Sequence, residues 1–313
     1  MNFLILGAGG IGSYFGARLI ESGNEVSFVA RGKQLQALQQ KKLKLQHPEF
    51  CFEQKVISYN IEEITKLDFS NFDAVLLTTK STSTLALSKL LQICFDNEEK
   101  IPYIVSLQNG VENEEILSEC LNNEYIIAGL TRKIGVHIVS PAVISATGTA
   151  ETILGSLKDT AENQIFLKNL QDAFNQAKIP TFLSSNIKLE LWKKLIINNG
   201  VNAICALLRK ETGVIMHHEK RSKIVYGLMR ETAIAALNKG ISISKEDVDE
   251  MFELITNFDS IKPSMLVDVE KNREIELEEI CNVVIRNCEA QNFDAPYTRT
   301  ISTLLEYTYY KDI

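Results

Sequence analysis

The chain has 313 residues, 45% of them hydrophobic and 23% charged, and a formal net charge of −7. That length suits about two domains of roughly 100–200 residues each, and the composition is typical of a globular protein with a sizeable core. The acidic balance speaks against a nucleic-acid partner, and no apolar run reaches the ~18 residues of a membrane-spanning helix.

The N-terminus and the cysteines bear on the cellular compartment. The first residues lack the basic segment and the long apolar run of a secretory signal. No two cysteines form a Cys-x-x-Cys pair, and several lie in apolar runs, which favours buried free thiols in a reducing compartment. We therefore predict a cytoplasmic protein with no membrane partner and no metal site. The cysteines are Cys51, Cys94, Cys120, Cys205, Cys281 and Cys288.

The N-terminal segment has the pattern of a strand, a glycine loop, a helix and a second strand. Residues 3–6 predict a buried strand, residues 12–20 a helix, and residues 25–30 the second strand. A lone G-x-G-x-x-G is weak evidence, but within such a βαβ unit it predicts a dinucleotide site. The loop between the first strand and the helix is Gly7-Ala8-Gly9-Gly10-Ile11-Gly12.

Each glycine of the pattern has a physical task. Gly7 allows a tight turn, Gly9 lets the backbone approach the pyrophosphate, and Gly12 lets helix and strand pack closely. The N-terminus of the helix offers free N–H groups and a partial positive charge to the phosphates.

The end of the second predicted strand bears on the choice between NAD and NADP. An NAD site usually has Asp or Glu there to bind the ribose 2′-hydroxyl, whereas this chain has Ala30, Arg31 and Gly32. The planar guanidinium of Arg31 can bind a 2′-phosphate. A solvated arginine at a strand end is the alternative, but the missing carboxylate favours NADP(H).

Two further strands are predicted over residues 73–80 and 101–107, and polar residues lie at or directly after the end of each strand. In doubly wound sheets the carboxyl ends of the strands face the ligand crevice, so Lys80 and Asn109 are candidates for it. A solvated lysine and a simple turn are the plain alternatives. Short segments within residues 125–155 are expected to be strands or hairpins added to the edge of the sheet.

Lys194, Asn198 and Asn202 recur at i, i+4 and i+8 of a helix predicted over residues 191–208. The segment is apolar around most of its circumference, as in a buried helix, and the spacing puts the three polar groups on one face. Its four Asn and Gly residues cost roughly 2–3 kcal/mol relative to alanine. A solvated stripe would be wider and richer in Glu, Lys and Gln, so we favour polar groups aimed into a cleft.

The C-terminal half has helical periodicity, with helices predicted over residues 220–239 and 244–258 before a proline-bearing loop. Ser264 follows that loop, and an ordinary helix N-cap is its plain interpretation. We expect most of the neighbouring glutamates on a solvated helix face. Glu276 differs from them, because apolar residues follow it at i+4, i+7 and i+8. A carboxylate at this position is stabilised either by a lysine in a cleft or by solvent at the end of the helix.

These residues together resemble the ketopantoate reductase (2-dehydropantoate 2-reductase) family over nearly the whole chain. The resemblance implies an N-terminal Rossmann-type doubly wound sheet at residues 1–184 that binds NADP, and a C-terminal all-helical substrate and catalytic domain at 185–313. It rests on the glycine loop, Lys80, Gln108-Asn109-Gly110, Glu190-Leu191-Trp192-Lys193-Lys194-Leu195, Asn198, Asn202, Ser264-Met265-Leu266-x-Asp268, Arg273-x-x-Glu276 and Ala295-Pro296.

The resemblance also implies roles for individual residues. It makes Lys194 the general acid at the keto oxygen and gives Glu276 a hydrogen bond to the reacting oxygen. Substrate binding falls to Asn109, Asn198, Asn202 and Ser264. The residues that it places around the cofactor are Gly7, Ala8, Gly9, Gly10, Ile11, Gly12, Arg31, Lys80, Asn109 and Glu276.

The leading hypothesis is the NADPH-dependent reduction of 2-dehydropantoate to (R)-pantoate, a step toward pantothenate and coenzyme A. Pro263, Ile275 and Ala203 stand where family members often have a small polar residue, Thr and Pro, so a paralogue acting on another branched 2-keto acid remains open. A non-catalytic NADP-binding sensor is the third hypothesis, and the presence of both Lys194 and Glu276 argues against it. The expected partner is a small 2-keto acid, and a homodimer is left open.

Overall fold

The structure is a computed structural model that describes residues 1–96, 98, 100–257 and 259–309. The chain divides into two compact units. The first comprises Met1–Gln108 and Glu112–Ile187, and the second comprises Asn109–Val111 together with the chain from Lys188 onward. Asn109–Val111 thus belongs to the second unit, although in the sequence it lies between two stretches of the first unit.

The first unit holds the strands and five helices. The strands are β1 Asn2–Leu6, β2 Glu25–Val29, β3 Leu43–His47, β4 Phe50–Gln54, β5 Ile57–Tyr59, β6 Ala74–Leu77, β7 Tyr103–Ser106, β8 Ile126–Ser140, β9 Val143–Ser156 and β10 Thr181–Leu183. The helices are α1 Gly10–Glu21, α2 Gly32–Gln40, α3 Thr84–Phe95, α4 Asn113–Ser118 and α5 Ala161–Gln176, with short 3₁₀ turns at Glu63–Lys66, Phe69–Asn71, Ser81–Ser83 and Asn123–Tyr125.

The strands form one ten-stranded sheet in the order β4-β3-β9-β8-β7-β6-β1-β2-β5, with β10 paired to β9. Strand β1 is parallel to β2 on one side and to β6 on the other, so the order reverses at β1, where a doubly wound sheet forms its ligand crevice. Along β1, Phe3 and Ile5 pack into one apolar cluster while Leu4 and Leu6 pack into another. Both faces of the sheet are therefore covered, which confirms the predicted Rossmann-type class.

The expectation of strands added at the edge of the sheet over residues 125–155 is wrong in position. Strands β8 and β9 form one long antiparallel hairpin in the interior of the sheet, because β3 and β4 lie beyond β9. Strand β3 lies between β9 and the edge strand β4, and it alternates buried Leu43 and Leu45 with exposed Lys44. This period of two is typical of a strand with one buried face, and the charge of the lysines hides it in the sequence.

The second unit is helical. Its elements are α6 Ile187–Ile197, a first π segment Asn198–Asn202, α7 Ala203–Leu208, α8 Thr212–Met216, α9 Glu219–Leu237, α10 Lys245–Asn257, α11 Ser264–Glu270, a second π segment Glu278–Asn282, α12 Val283–Glu289 and α13 Pro296–Tyr309. One apolar cluster joins them, and α6, α9 and α12 each contribute several buried residues to it. The helix predicted over residues 191–208 is present, with a π turn in its middle; Phe258, the predicted end of another helix, lies outside the described residues.

The six cysteines are free. Cys205, Cys281 and Cys288 are buried, and burial raises the pKa of each thiol to about 12. Cys51 is exposed, contrary to the expectation of buried thiols, because it lies on the open face of β4. Over the described residues, the structure contains no helix with the length and apolarity to cross a membrane.

Candidate active site

The glycine loop joins β1 to α1 at the reversal point of the sheet. Gly7 has a φ of +111°, and a Cβ there would lie 2.8 Å from the backbone N of Thr79, so only glycine fits. A Cβ on Gly12 would collide with the carbonyl of Gly7 and lie 2.5 Å from Oγ1 of Thr78. The predicted tasks of Gly7 and Gly12, a tight turn and close helix–strand packing, match this geometry.

The space beside Gly9 is open. The nearest atom to a Cβ at this position would be the Gly7 carbonyl oxygen, 4.0 Å away. Gly9 is also the N-cap of α1 and offers the helix no side-chain hydrogen bond. The N–H groups at the start of a 12-residue helix therefore lie beside a backbone that a ligand can approach. A phosphate group fits this arrangement, because it accepts such hydrogen bonds and is attracted by the helix dipole.

Arg31 and Lys80 lie at the carboxyl ends of the strands that flank β1. Arg31 is exposed at the N-cap of α2, two residues after Val29, whose carbonyl accepts hydrogen bonds from Gly7 and Ala8 at 3.1 and 3.0 Å. Lys80 is half-buried and follows β6, the parallel neighbour of β1 on the other side. The sequence-predicted cofactor residues of this unit, Gly7, Ala8, Gly9, Gly10, Ile11, Gly12, Arg31 and Lys80, thus share the carboxyl edge of the sheet.

Sequence reasoning missed Gln34, which holds the glycine loop. Its Nε2 donates to the carbonyl of Ala8 at 2.9 Å, and its Oε1 accepts from the backbone N–H of Ala142 at 2.9 Å. Ala142 lies in the turn between β8 and β9, so one amide ties the loop to the long hairpin. Only the position three residues after Arg31 could have suggested this function, since glutamine on a short helix is otherwise unremarkable.

Three residues predicted to act on the substrate meet in the second unit. Lys194 on α6 donates from Nζ to Oδ1 of Asn109 at 3.1 Å, and Nδ2 of Asn109 donates to Oε2 of Glu276 at 3.0 Å. The amide of Asn109 therefore bridges an ammonium and a carboxylate. The sequence suggests a lysine as the partner of the Glu276 carboxylate, but it does not indicate that the amide of Asn109 lies between Lys194 and Glu276.

Lys194 is half-buried, and removal of its ammonium group from water lowers the pKa to about 8. The negative charge of Glu276 opposes this effect and favours the protonated form. Lys194 thus remains mostly protonated at neutral pH, yet gives up its proton more readily than an exposed lysine. A group of this kind is suited to donating a proton to an oxygen that develops negative charge.

Glu276 is buried, whereas Glu274 and Glu278 are exposed as predicted and Glu279 is half-buried. It lies just before the second π segment, not on the face of a regular helix, and its carbonyl accepts from the N–H of Ile280. The preceding loop is held by Arg273, whose N–H donates to the Asp268 carbonyl at 2.8 Å and whose guanidinium lies 3.9 Å from the Asp268 carboxylate.

The remaining candidates for substrate binding lie on the same unit. Asn198 and Asn202 begin and end the first π segment, half-buried and buried respectively. Nδ2 of Asn202 is 3.5 Å from Oγ of Ser264, which is exposed at the first turn of α11. Pro263 occupies the N-cap position of that helix, so the N-cap interpretation of Ser264 is wrong and its hydroxyl faces Asn202.

The three departures from the family pattern, Pro263, Ile275 and Ala203, are buried. They are the sequence neighbours of Ser264, Glu276 and Asn202. Over the described residues, no cluster of three or more His, Cys, Asp or Glu side chains could hold a metal ion.

The sequence matches two family models in succession. Residues 3–159 match the family described as ketopantoate reductase PanE/ApbA, and residues 186–307 match its C-terminal region. A 2-dehydropantoate 2-reductase of Pyrococcus abyssi is 30% identical over 297 residues, which cover 95% of this chain and 94% of that protein.

Solved structures with the same fold span both units. The crystal structure of 2-dehydropantoate 2-reductase from Geobacter metallireducens has a TM-score of 0.86 at 28% identity and covers 98% of this chain and 100% of that one. D-mandelate dehydrogenase, solved with NADH and anilino(oxo)acetate, has a TM-score of 0.88 at 23% identity and covers 99% of each chain. The family matches and the shared fold define the class of protein, an oxidoreductase with a Rossmann-type first unit and a helical second unit. The chain belongs to the ketopantoate reductase family.

Proposed function

We propose that this protein reduces 2-dehydropantoate to (R)-pantoate with NADPH, and so serves pantothenate and coenzyme A synthesis in the cytoplasm. The observation that carries the proposal is the hydrogen-bonded set of Lys194, Asn109 and Glu276. It combines a proton donor of lowered pKa with a carboxylate that keeps the donor charged.

A reduced nicotinamide dinucleotide supplies a hydride when bound, and the first unit has the features to hold it. The open space at Gly9 and the uncapped start of α1 suit a pyrophosphate. Arg31 supports NADPH over NADH, because its guanidinium can bind a 2′-phosphate where an NAD site would have a carboxylate. D-mandelate dehydrogenase was solved with NADH, and a comparison of kcat/KM for NADPH and NADH tests the preference proposed for this chain.

The chemistry that the chain itself supplies is proton donation and charge stabilisation. As the carbonyl carbon of the keto acid gains a hydride, its oxygen gains negative charge, and the ammonium of Lys194 stabilises that charge and donates a proton. The product is a secondary alcohol, and Lys194 regains its proton from water. Glu276, held by Asn109, favours the charged lysine before each turnover.

The remaining polar groups recognise the substrate in this proposal. Asn198, Asn202 and Ser264 present amides and a hydroxyl that can bind the carboxylate and the 4-hydroxyl of 2-dehydropantoate. A site built to bind a hydroxyl strongly disfavours the analogue without it, since its own polar groups are then left unpaired.

The test is a spectrophotometric assay of NADPH oxidation with a panel of 2-keto acids. We expect 2-dehydropantoate to have the highest kcat/KM and 2-ketoisovalerate, which lacks the 4-hydroxyl, to be much poorer. Equal efficiency with the two compounds contradicts the substrate assignment and favours the paralogue that Pro263, Ile275 and Ala203 leave open. No turnover with any 2-keto acid, together with tight NADPH binding, favours the sensor.

A further inference from the structure

One face of α13 bears two buried hydroxyl groups. Thr298 and Ser302 have 0% and 2% of their surface exposed, and residues four apart lie on one face of a helix. Each hydroxyl bonds to a different π segment. Such segments are rare and frequently mark functional sites, and here both adjoin residues of the candidate active site.

Thr298 contacts the first π segment through Asn199. This asparagine is fully buried, and its Nδ2 donates to Oγ1 of Thr298 at 3.1 Å and to Oγ1 of Thr232 at 3.0 Å. It follows Asn198 directly and precedes Asn202 by three residues. The amide of Asn199 therefore fixes the segment from the side of the protein core.

Thr298 is itself anchored by a buried carboxylate. Its hydroxyl and its backbone N–H both donate to Oε2 of Glu231 at 2.7 Å, and the N–H of Tyr297 donates to Oε1 at 2.9 Å. Glu231 is 4% exposed, which is tolerable because it receives three hydrogen bonds at the positive end of α13. The start of α13 is thus a fixed point within the unit.

Ser302 contacts the second π segment. Its hydroxyl donates to Oδ1 of Asn282 at 2.8 Å, and Asn282 is the last residue of that segment. The segment begins two residues after Glu276. One helix face is consequently bonded to both irregular segments, one carrying Asn198 and Asn202 and the other following Glu276.

The first π segment affects how Lys194, Asn198 and Asn202 are aligned along one face of the helix. In a regular α-helix each step of four residues turns about 40° beyond a full circle, so Asn202 would lie about 80° away from Lys194 around the axis. A π turn has more residues per turn and rotates less per residue, which offsets that drift. The segment therefore keeps Lys194, Asn198 and Asn202 closer to one line, at the cost of less regular hydrogen bonding.

We propose that Thr298 and Ser302 of α13 hold the two π segments in place, and that they act as positioning residues for Asn198 and Asn202, which share a helix face with Lys194, and for Glu276. Neither residue touches the substrate in this scheme; each acts through its partner, Asn199 or Asn282. The kinetic part of the inference rests on the proposed reductase function.

The test uses Thr298→Val and Ser302→Ala in the full chain, which delete one hydroxyl each at nearly constant shape. We expect kcat to fall roughly 10- to 100-fold, as for a small misplacement of reacting groups, with the KM for NADPH unchanged. Thr212→Val is the matched control, since Thr212 is equally buried in the same unit and its Oγ1 accepts from the N–H of Ile261. It should lower the melting temperature to a similar extent and leave kcat unchanged.

A second readout does not depend on turnover. The titration of Lys194, followed by NMR of its labelled side chain, should move away from a pKa of about 8 in both variants. The pKa of Lys194 falls if Glu276 moves away from it and rises if water enters the site. Either result supports a displacement of the active-site residues in the variants. An unchanged titration together with an unchanged kcat in the folded variants overturns the proposal. Absence of keto acid reduction by the unmodified enzyme contradicts the proposed function alone, because the titration still tests the positioning.

Discussion

Asn109 and Glu276 are 167 positions apart in the chain, yet Nδ2 of Asn109 donates to Oε2 of Glu276 at 3.0 Å. The other end of the same amide accepts from Nζ of Lys194 at 3.1 Å. A neutral side chain can satisfy a cation and an anion at once, because a primary amide presents an acceptor and a donor in fixed geometry. Asn109 therefore orients both ionised groups.

Replacing this amide with a carboxylate should change the titration of Lys194. Asn109→Asp places a negative charge beside the ammonium, so the pKa of Lys194 should rise above its value of about 8. The alkaline limb of the kcat profile should move to higher pH, while kcat itself falls because the new carboxylate repels Glu276. A pH series of initial rates measures both effects. An alkaline limb that stays in place would show that Asn109 does not contact Lys194 during turnover.

Removal of the Lys194 ammonium should affect catalysis far more than binding of NADPH. Lys194→Ala is expected to lower kcat by roughly 10²–10⁴, the usual range for a positioned acid. Lys193→Ala is a matched control, because Lys193 is the adjacent residue and forms an ion pair with Asp247 at 2.7 Å. It should reduce the melting temperature with little loss of kcat. The catalytic assignment is refuted if Lys194→Ala loses activity only in proportion to the folded fraction.

Activity and stability should respond to alkaline pH in opposite directions through Lys194. Above about pH 8 the lysine loses the proton it donates, so kcat should fall about tenfold per pH unit. Its pKa in the folded protein lies below the ordinary value of 10.5, so between these values the unfolded chain binds more protons and this group favours folding increasingly as pH rises. Denaturant unfolding of the wild type and of Lys194→Met at pH 7.5 and pH 10 should reveal that gain only in the wild type. Equal pH dependence in the two proteins would contradict the lowered pKa.

Arg31 should decide the cofactor preference. The exposed guanidinium at the N-cap of α2 is expected to bind the 2′-phosphate, so Arg31→Ala should raise the KM for NADPH by at least an order of magnitude, about the 1.5–3 kcal/mol of a charged hydrogen bond. The KM for NADH should change little. Lys41→Ala removes the same charge at the other end of α2 and serves as the control. The preference is misassigned if the unmodified enzyme uses both cofactors equally.

The sequence by itself determined the local features of both units. The glycine spacing at Gly7, Gly9 and Gly12 predicts a strand, a turn and a helix, because each position depends on contacts within a few residues. The interval between Lys194, Asn198 and Asn202 predicts one polar face of a helix for the same reason. The short buried strands are predicted by equally local features, because a short apolar run bounded by turn residues has few alternatives to a buried strand.

Only the tertiary structure decided how these pieces combine. Asn109 belongs to the second unit and bridges Lys194 to Glu276, and no periodicity can indicate a hydrogen bond across 167 positions. The sequence pattern also did not predict the π turns at Asn198–Asn202 and Glu278–Asn282, and each of them is hydrogen-bonded to a side chain of the distant helix α13. Local residue spacing specifies helices and strands. The hydrogen-bond partners of buried polar groups depend instead on which residues tertiary packing brings within reach.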